Sequence, residues 1–211
     1  MLAVGLAILT LASAIVAVYM FAQNRGSSGE KIRVACIGDS ITEGAYPEEL
    51  WMQLGSKYAV GNFGVSGSTD SLSSSRPYMN ETAFQEAKEF QPNVVVIMLV
   101  TNDADPYITP NTSLFVEDYI TLVNEFEDLS TKPKIYLVLP PPAFSNLTGV
   151  EPEVFAERII PGVREAANQT GLPTINVYSA LADKQRFFPD GVHPNFAGAK
   201  LIAEEIYKAI T

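Results

Sequence analysis

Short apolar runs alternate with amphipathic stretches along most of this chain. Five short apolar runs predict strands at 31–37, 58–63, 93–100, 134–139 and 174–178. Stretches with apolar residues at helical spacing predict helices at 47–57, 77–90, 112–129, 151–170 and 195–210. Strand followed regularly by helix is typical of a parallel sheet covered on both faces, so the pattern predicts an α/β fold.

Unusual polar clusters follow several of these strands. The first predicted strand ends at Gly38-Asp39-Ser40, the second at 64–67 (GVSG), and the third at 101–103 (TND). A further cluster, 190–193 (DGVH), precedes the last predicted helix. Because ligands in open α/β sheets gather at the carboxyl ends of the strands, these loops are the candidate site.

The amino-terminal segment differs from the rest. Residues 2–21 form an uncharged apolar run that could cross a membrane as a helix of about 20 residues. We predict a transmembrane anchor at 1–22, a flexible linker at 23–30 and one folded domain at 31–211. A signal peptide cleaved after the small residues at 12–14 is the alternative, disfavoured because no basic residue precedes the run and the run continues to Phe21.

Composition limits the partners of the domain. The chain has 14 Lys and Arg against 24 Asp and Glu, and this acidic balance argues against nucleic-acid binding. A single cysteine, Cys36, excludes an internal disulfide and is expected in the core. Lys31 and Arg33 follow the anchor, and positive charge there favours a cytoplasmic domain. Four Asn-x-Ser/Thr sequons instead favour the outer face of the membrane. We predict that the domain lies on the outer face. The asparagines of these sequons are Asn80, Asn111, Asn146 and Asn168.

The polar clusters hold the parts of a nucleophilic site. A serine hydroxyl needs a nearby base, and that base needs a third group to fix its tautomer. Ser40, the sole histidine His193, and Asp190 could supply these parts. Backbone N–H groups of Ser40 and Gly67 and the amide of Asn102 are candidate oxyanion donors. Each residue alone also fits an ordinary helix cap or turn, but that view does not explain the histidine beside Asp190.

Four motifs in this order resemble the SGNH hydrolases, the family of GDSL-type esterases and lipases. The motifs are GDSIT, NFGVSG, TND and DGVHP, spread over the whole domain. The resemblance implies Ser40 as nucleophile and first oxyanion donor, with Gly67 and Asn102 as the other donors. It also implies His193 as base and Asp190 as its partner. The implied fold is a three-layer α/β/α arrangement around a flavodoxin-like, five-stranded parallel sheet, and the implied chemistry needs no metal or organic cofactor.

One position departs from the family pattern. The third motif usually begins with glycine, whereas Val100 occupies that place here. A backbone conformation closed to β-branched residues would displace Asn102, but we expect Val100 simply to continue the strand.

The expected substrate is a small acyl ester, preferably an acetyl ester of a carbohydrate. The stretch from Pro77 through 98–107 (MLVTNDADPY) is similar to family members that act on such esters. Two alternatives remain open: a lysophospholipase or thioesterase acting on longer acyl chains, and a weakly active, membrane-tethered binding module. A magnesium site at Asp39, Asp70, Asp103 and Asp105 is a further alternative that leaves His193 unexplained. Five aromatic residues are candidates for stacking or for packing: Tyr46, Tyr78, Tyr107, Phe144 and Phe188.

Overall fold

A parallel five-stranded sheet forms the centre of this protein. The computed structural model describes residues 30–107 and 115–211. The strands lie in the order β2-β1-β3-β4-β5, and every neighbouring pair is parallel. Their bounds are β1 (Ile32–Gly38), β2 (Tyr58–Gly64), β3 (Val94–Met98), β4 (Lys134–Leu139) and β5 (Thr174–Asn176). The predicted α/β class with a five-stranded parallel sheet is confirmed.

Helices connect the strands throughout the described part of the chain. In chain order they are α1 (Ser40–Glu43), α2 (Tyr46–Leu54), α3 (Thr82–Glu89), α4 (Phe115–Glu127), α5 (Pro152–Val154), α6 (Ile160–Thr170), α7 (Val177–Ala180) and α8 (Phe196–Ile210). Short 3₁₀ turns lie at Tyr78–Asn80, Asn102–Ala104 and Gln185–Phe187, and a π-helical turn lies at Phe155–Ile159.

The two faces of the sheet bury separate apolar cores. Because side chains alternate along a strand, Val34 and Cys36 of β1 face one core, while Ala35 and Ile37 face the other. Helices α2 and α8 cover the first face, and α3, α4 and α6 cover the second. The result is the three-layer α/β/α arrangement. Cys36 is a core residue, as predicted, and burial raises the pKa of its thiol to about 12.

Several predicted elements are longer or more continuous than the observed ones. The strand predicted at 174–178 ends at Asn176, because the Asn176 side chain accepts a hydrogen bond from the Ser179 N–H and starts α7. The helix predicted at 77–90 begins only at Thr82. The helix predicted at 151–170 is interrupted by the π-helical turn just before Pro161, a residue that cannot donate the usual backbone hydrogen bond.

The predicted anchor at 1–22 and almost all of the linker at 23–30 lie outside the described residues. Within 30–107 and 115–211, every helix is too short or too polar to cross a membrane. The anchor and the side of the membrane that the domain faces therefore both stay predictions.

Candidate active site

The first strand delivers Ser40 to the carboxyl edge of the sheet. β1 ends at Gly38, and Asp39 caps α1 by accepting a hydrogen bond from the Ile41 N–H at 3.0 Å. Ser40 is the first residue of α1, so its backbone N–H has no acceptor within that helix. The same residue therefore offers a hydroxyl and a free backbone donor.

His193 lies against the Ser40 hydroxyl. The distance from Ser40 Oγ to His193 Nε2 is 2.8 Å, and that from His193 Nδ1 to Asp190 Oδ2 is 2.7 Å. A carboxylate can only accept, so Nδ1 carries the ring hydrogen and donates it to Asp190. Nε2 of the neutral ring is then the acceptor for the Ser40 hydroxyl. The structure thus brings together the three residues predicted to form the catalytic centre.

A tight turn holds Asp190 under the imidazole. Asp190 Oδ1 accepts hydrogen bonds from the Val192 N–H at 2.9 Å and the His193 N–H at 2.7 Å, which leaves Oδ2 for the ring. Burial alone would raise the pKa of Asp190, but the hydrogen bonds from His193 and Val192 outweigh it and lower the pKa to about 2. The carboxylate is therefore charged at every ordinary pH.

Gly191 lets the neighbouring loop approach this turn. Its φ is +86°, and an added Cβ would lie 2.0 Å from Ser145 Oγ. That hydroxyl donates to the Asp190 carbonyl at 2.8 Å. The side chains of His193 and Asp190 are nonetheless 43% and 41% exposed, so the site opens to solvent.

The predicted oxyanion donors come from the loops after β2, β1 and β3, which are adjacent in the sheet. Gly67 has a φ of +78°, a conformation that favours glycine. Asn102 Nδ2 donates to the carbonyl of Ser68, the residue after Gly67, at 2.8 Å. An amide nitrogen carries two hydrogens, so one remains for a substrate oxygen. This contact ties the second and third donors to each other.

Val100 does not simply continue β3, and that expectation is wrong. The strand ends at Met98, and Val100 has a φ of +118° with its side chain fully buried. A β-branched residue in this region is strained. A glycine at this position could adopt this backbone conformation without strain, whereas Val100 adopts it at a cost. Asn102 still reaches Ser68.

Comparison with known proteins identifies the family. The family model described as GDSL-like lipase/acylhydrolase matches residues 36–201. The chain belongs to this family. The resemblance predicted from the four motifs is confirmed, and with it the membership of a family of carboxylic ester hydrolases.

Relatives of this GDSL-like chain include an acetylxylan esterase from Xylanibacter ruminicola. The two are 38% identical over 208 aligned residues, which cover 86% of this chain and 43% of that protein. This chain therefore spans less than half the length of that relative.

Two solved structures share the fold of the GDSL-like chain. The Enterococcus faecalis lipase/acylhydrolase is 22% identical, with a TM-score of 0.68 over 84% of this chain and 94% of that one. An acetyl xylan esterase structure is 18% identical, with a TM-score of 0.69 over 85% of this chain and all of that one.

Asp39 has a positioning role that the sequence did not reveal. Besides capping α1, it accepts a hydrogen bond from the Thr101 N–H at 3.0 Å, so one carboxylate joins the Ser40 loop to the Asn102 loop. Burial raises its pKa, and the hydrogen bonds from Ile41 and Thr101 oppose that rise. Neither the capping of α1 by Asp39 nor its contact with Thr101 was predicted from the sequence.

The four aspartates considered as magnesium ligands have other surroundings. Asp103 accepts from the N–H groups of Asp70 and Ser71, and Asp105 accepts from the Tyr107 N–H. In the part of the chain that the structure describes, no group of three or more acidic, histidine or cysteine side chains is arranged to hold a metal ion. The alternative of a magnesium site at these aspartates is not supported by their positions.

Most of the aromatic candidates pack inside the protein. Tyr46, Tyr78 and Phe188 are buried, and Phe144 packs on Phe188 with ring centroids 5.2 Å apart. Tyr107 is 93% exposed and is the member of this group that could stack on a ligand.

Proposed function

We propose that this chain is a serine ester hydrolase that removes acetyl groups from carbohydrates. The proposal is carried by one observation, the 2.8 Å contact between Ser40 Oγ and a histidine whose other nitrogen is held by Asp190. The similarity to an acetylxylan esterase supports an acetylated sugar as substrate. The exposure of His193 and Asp190 also suits an ester carried on a polysaccharide, which must approach from solvent.

The reaction would proceed in two halves. Ser40 Oγ attacks the acyl carbon while its proton passes to His193 Nε2, and the developing oxyanion accepts hydrogen bonds from Ser40, Gly67 and Asn102. The tetrahedral intermediate expels the sugar oxygen, which takes the proton from His193. Water then attacks the acetyl-serine with His193 again as base, releasing acetate and restoring the hydroxyl.

The test compares the full chain with a Ser40→Ala variant on p-nitrophenyl esters and acetylated xylan. We expect the wild-type chain to release acetate, and the variant to lose about three orders of magnitude or more in kcat because the nucleophile is absent. A variant that retains the wild-type rate would refute the seryl mechanism.

The same ester panel separates the alternative functions. A preference for acyl chains of about eight carbons or more would favour the lysophospholipase or thioesterase, since each buried CH₂ contributes about 0.8 kcal/mol. Absence of turnover on the whole panel would favour a binding module.

A further inference from the structure

The loop that supplies Gly67 is held by a charged side chain. Arg76 Nη1 donates to the carbonyl oxygen of Ser66 at 2.6 Å, and Arg76 Nε donates to Glu81 Oε1 at 2.8 Å. On the other side of Ser66, its N–H donates to Glu43 Oε2 at 2.8 Å. Ser66 is thus fixed through both of its backbone polar groups by side chains of opposite charge.

The contact with Arg76 falls on one particular peptide unit. The Ser66 carbonyl and the Gly67 N–H belong to the same planar amide, in which they point in opposite directions. A charge-assisted hydrogen bond to the carbonyl fixes the plane of that amide and polarises it. Polarisation makes the Gly67 N–H a stronger donor, and that N–H is the predicted second donor to the oxyanion.

The position of Arg76 is itself fixed at its backbone. The Arg76 carbonyl accepts from the Thr69 N–H at 3.1 Å, and Thr69 forms a bridge with Pro77. The segment from Ser66 to Arg76 therefore returns on itself, with the guanidinium beside Gly67. A Cβ added at Gly67 would lie 3.5 Å from Arg76 Nη1.

If the role of Arg76 were purely structural, its removal would have only a small effect on the protein. The Arg76 side chain is 49% exposed, and exposed ion pairs such as Arg76 with Glu81 typically contribute about 0.2 to 1 kcal/mol. Removing Arg76 should therefore change stability slightly. Any large effect must arise through the peptide to which it is bonded.

We propose that Arg76 is a positioning residue that orients and polarises the Ser66–Gly67 peptide so that the Gly67 N–H can stabilise the oxyanion. This inference rests on the proposed function, since it needs an oxyanion to form at Ser40. Both acylation and deacylation pass through such an intermediate, so both halves of the reaction depend on Arg76.

The test is the steady-state kinetics of Arg76→Met in the full chain. We expect kcat to fall about tenfold to a hundredfold, less than the 10²–10³ for deleting an oxyanion donor, because the N–H remains but is less well directed. KM should stay within about twofold, because the hydrogen bond from the Gly67 N–H to the oxyanion, which Arg76 supports, forms only in the transition state. The rate of Ser40 labelling by a fluorophosphonate, which places an oxygen among the same donors, should fall in parallel.

Two further variants serve as rescue and control. Arg76→Lys restores a positive donor near the Ser66 carbonyl and should recover part of kcat. Arg164→Met removes the same charge from an exposed position on α6 and should behave as wild type.

Two results would refute the positioning role of Arg76 without affecting the proposed function. Wild-type kcat in folded R76M, or a fall in kcat matched by a rise in KM and a lower unfolding temperature, would overturn the inference alone. If R76M does not fold, Arg76→Gln takes its place, and wild-type kcat in that variant has the same meaning. An inactive wild-type chain would instead overturn the proposed function, and the inference with it.

Discussion

At the scale of single residues, the candidate site depends on which atom of each side chain carries a hydrogen. Asp190 uses one oxygen for its own turn and the other for His193 Nδ1. That arrangement selects the tautomer in which Nε2 can take a proton from Ser40. Charge and tautomer are thus set by the same short turn.

An Asp190→Asn substitution should separate these functions. The asparagine oxygen can still accept from Val192 and His193, so the turn and the fold should persist. Its amide donates toward the ring, which favours hydrogen on Nε2 and leaves no acceptor for Ser40. We expect kcat to fall by roughly 10³ to 10⁴, with an unfolding temperature within a few degrees of wild type.

The control for this variant is Asp183→Asn, an exposed aspartate paired with Lys184. It removes the same charge near α7 and should leave kcat unchanged. Equal activity in D190N and D183N would refute the role of Asp190.

At the scale of elements, the strained end of β3 can be tested directly. Val100→Ala should lower the free energy of unfolding by about 1 to 3 kcal/mol, because two buried methyl groups are lost. Glycine is normally about 0.5 to 1 kcal/mol less stable than alanine in regular structure. At Val100 the order should reverse, since glycine also relieves a strain of about 1 to 3 kcal/mol at φ +118°.

Urea unfolding of V100A and V100G measures this difference. Both variants lack the two γ-methyl groups of valine, and they differ only in the Cβ that alanine keeps. If V100G is the less stable of the two by the ordinary amount, the strained conformation does not exist in solution.

The sequence predicted the strands better than their ends. The run at 93–100 correctly indicated a strand buried on both faces, but apolar character continues into Leu99 and Val100 after the strand has ended. Backbone strain has no hydrophobic pattern, and its one signal in the sequence, the family glycine at the position of Val100, was interpreted as the end of a strand. The end of β5 could have been predicted more easily, because asparagine is a common helix-capping residue and Asn176 caps the following helix.

Some residues of the candidate site could be predicted from the sequence and others could not. Ser40, Asp190 and His193 were found because their residue types are rare or recognisable at the ends of predicted elements. Arg76 was not, because its contact with Ser66 pairs a common surface residue with a backbone carbonyl ten positions away. Any residue type can supply a backbone carbonyl, so the sequence does not show which residue Arg76 contacts.

At the scale of the whole molecule, buried carboxyl groups beside the site loops make stability depend on pH. Asp70 is almost fully buried, and its two oxygens have no hydrogen-bond partner among the described residues. Burial, followed by the charges of Asp103 and Asp118, raises its pKa well above 3.8. Burial also raises the pKa of Asp103 to about 7, against the hydrogen bonds from Asp70 and Ser71.

Raised carboxyl pKa values favour the folded state at low pH. The folded chain keeps protons that the unfolded chain loses above its usual value of 3.8. This contribution is complete below 3.8 and is lost as the pH rises through the folded pKa, which for Asp103 gives a window from 3.8 to about 7.

We therefore expect the free energy of unfolding to fall between pH 5 and pH 8, and to fall less in Asp70→Asn. Urea unfolding at both pH values measures the change, with Asp183→Asn as an exposed control that should follow wild type. A D70N variant as pH-sensitive as wild type would contradict the burial of a protonated Asp70.

The proposed nucleophile Ser40 and its proposed base His193 are 153 residues apart, on the loops that follow the first and the last strands of the sheet. During synthesis the ribosome therefore releases Ser40 long before the imidazole proposed to activate it. A nascent chain, or a proteolytic fragment ending before the final loop, carries only an ordinary alcohol. In the proposed mechanism, hydrolysis begins only when the loop that carries His193 packs against the Ser40 loop, so completion of folding switches the activity on.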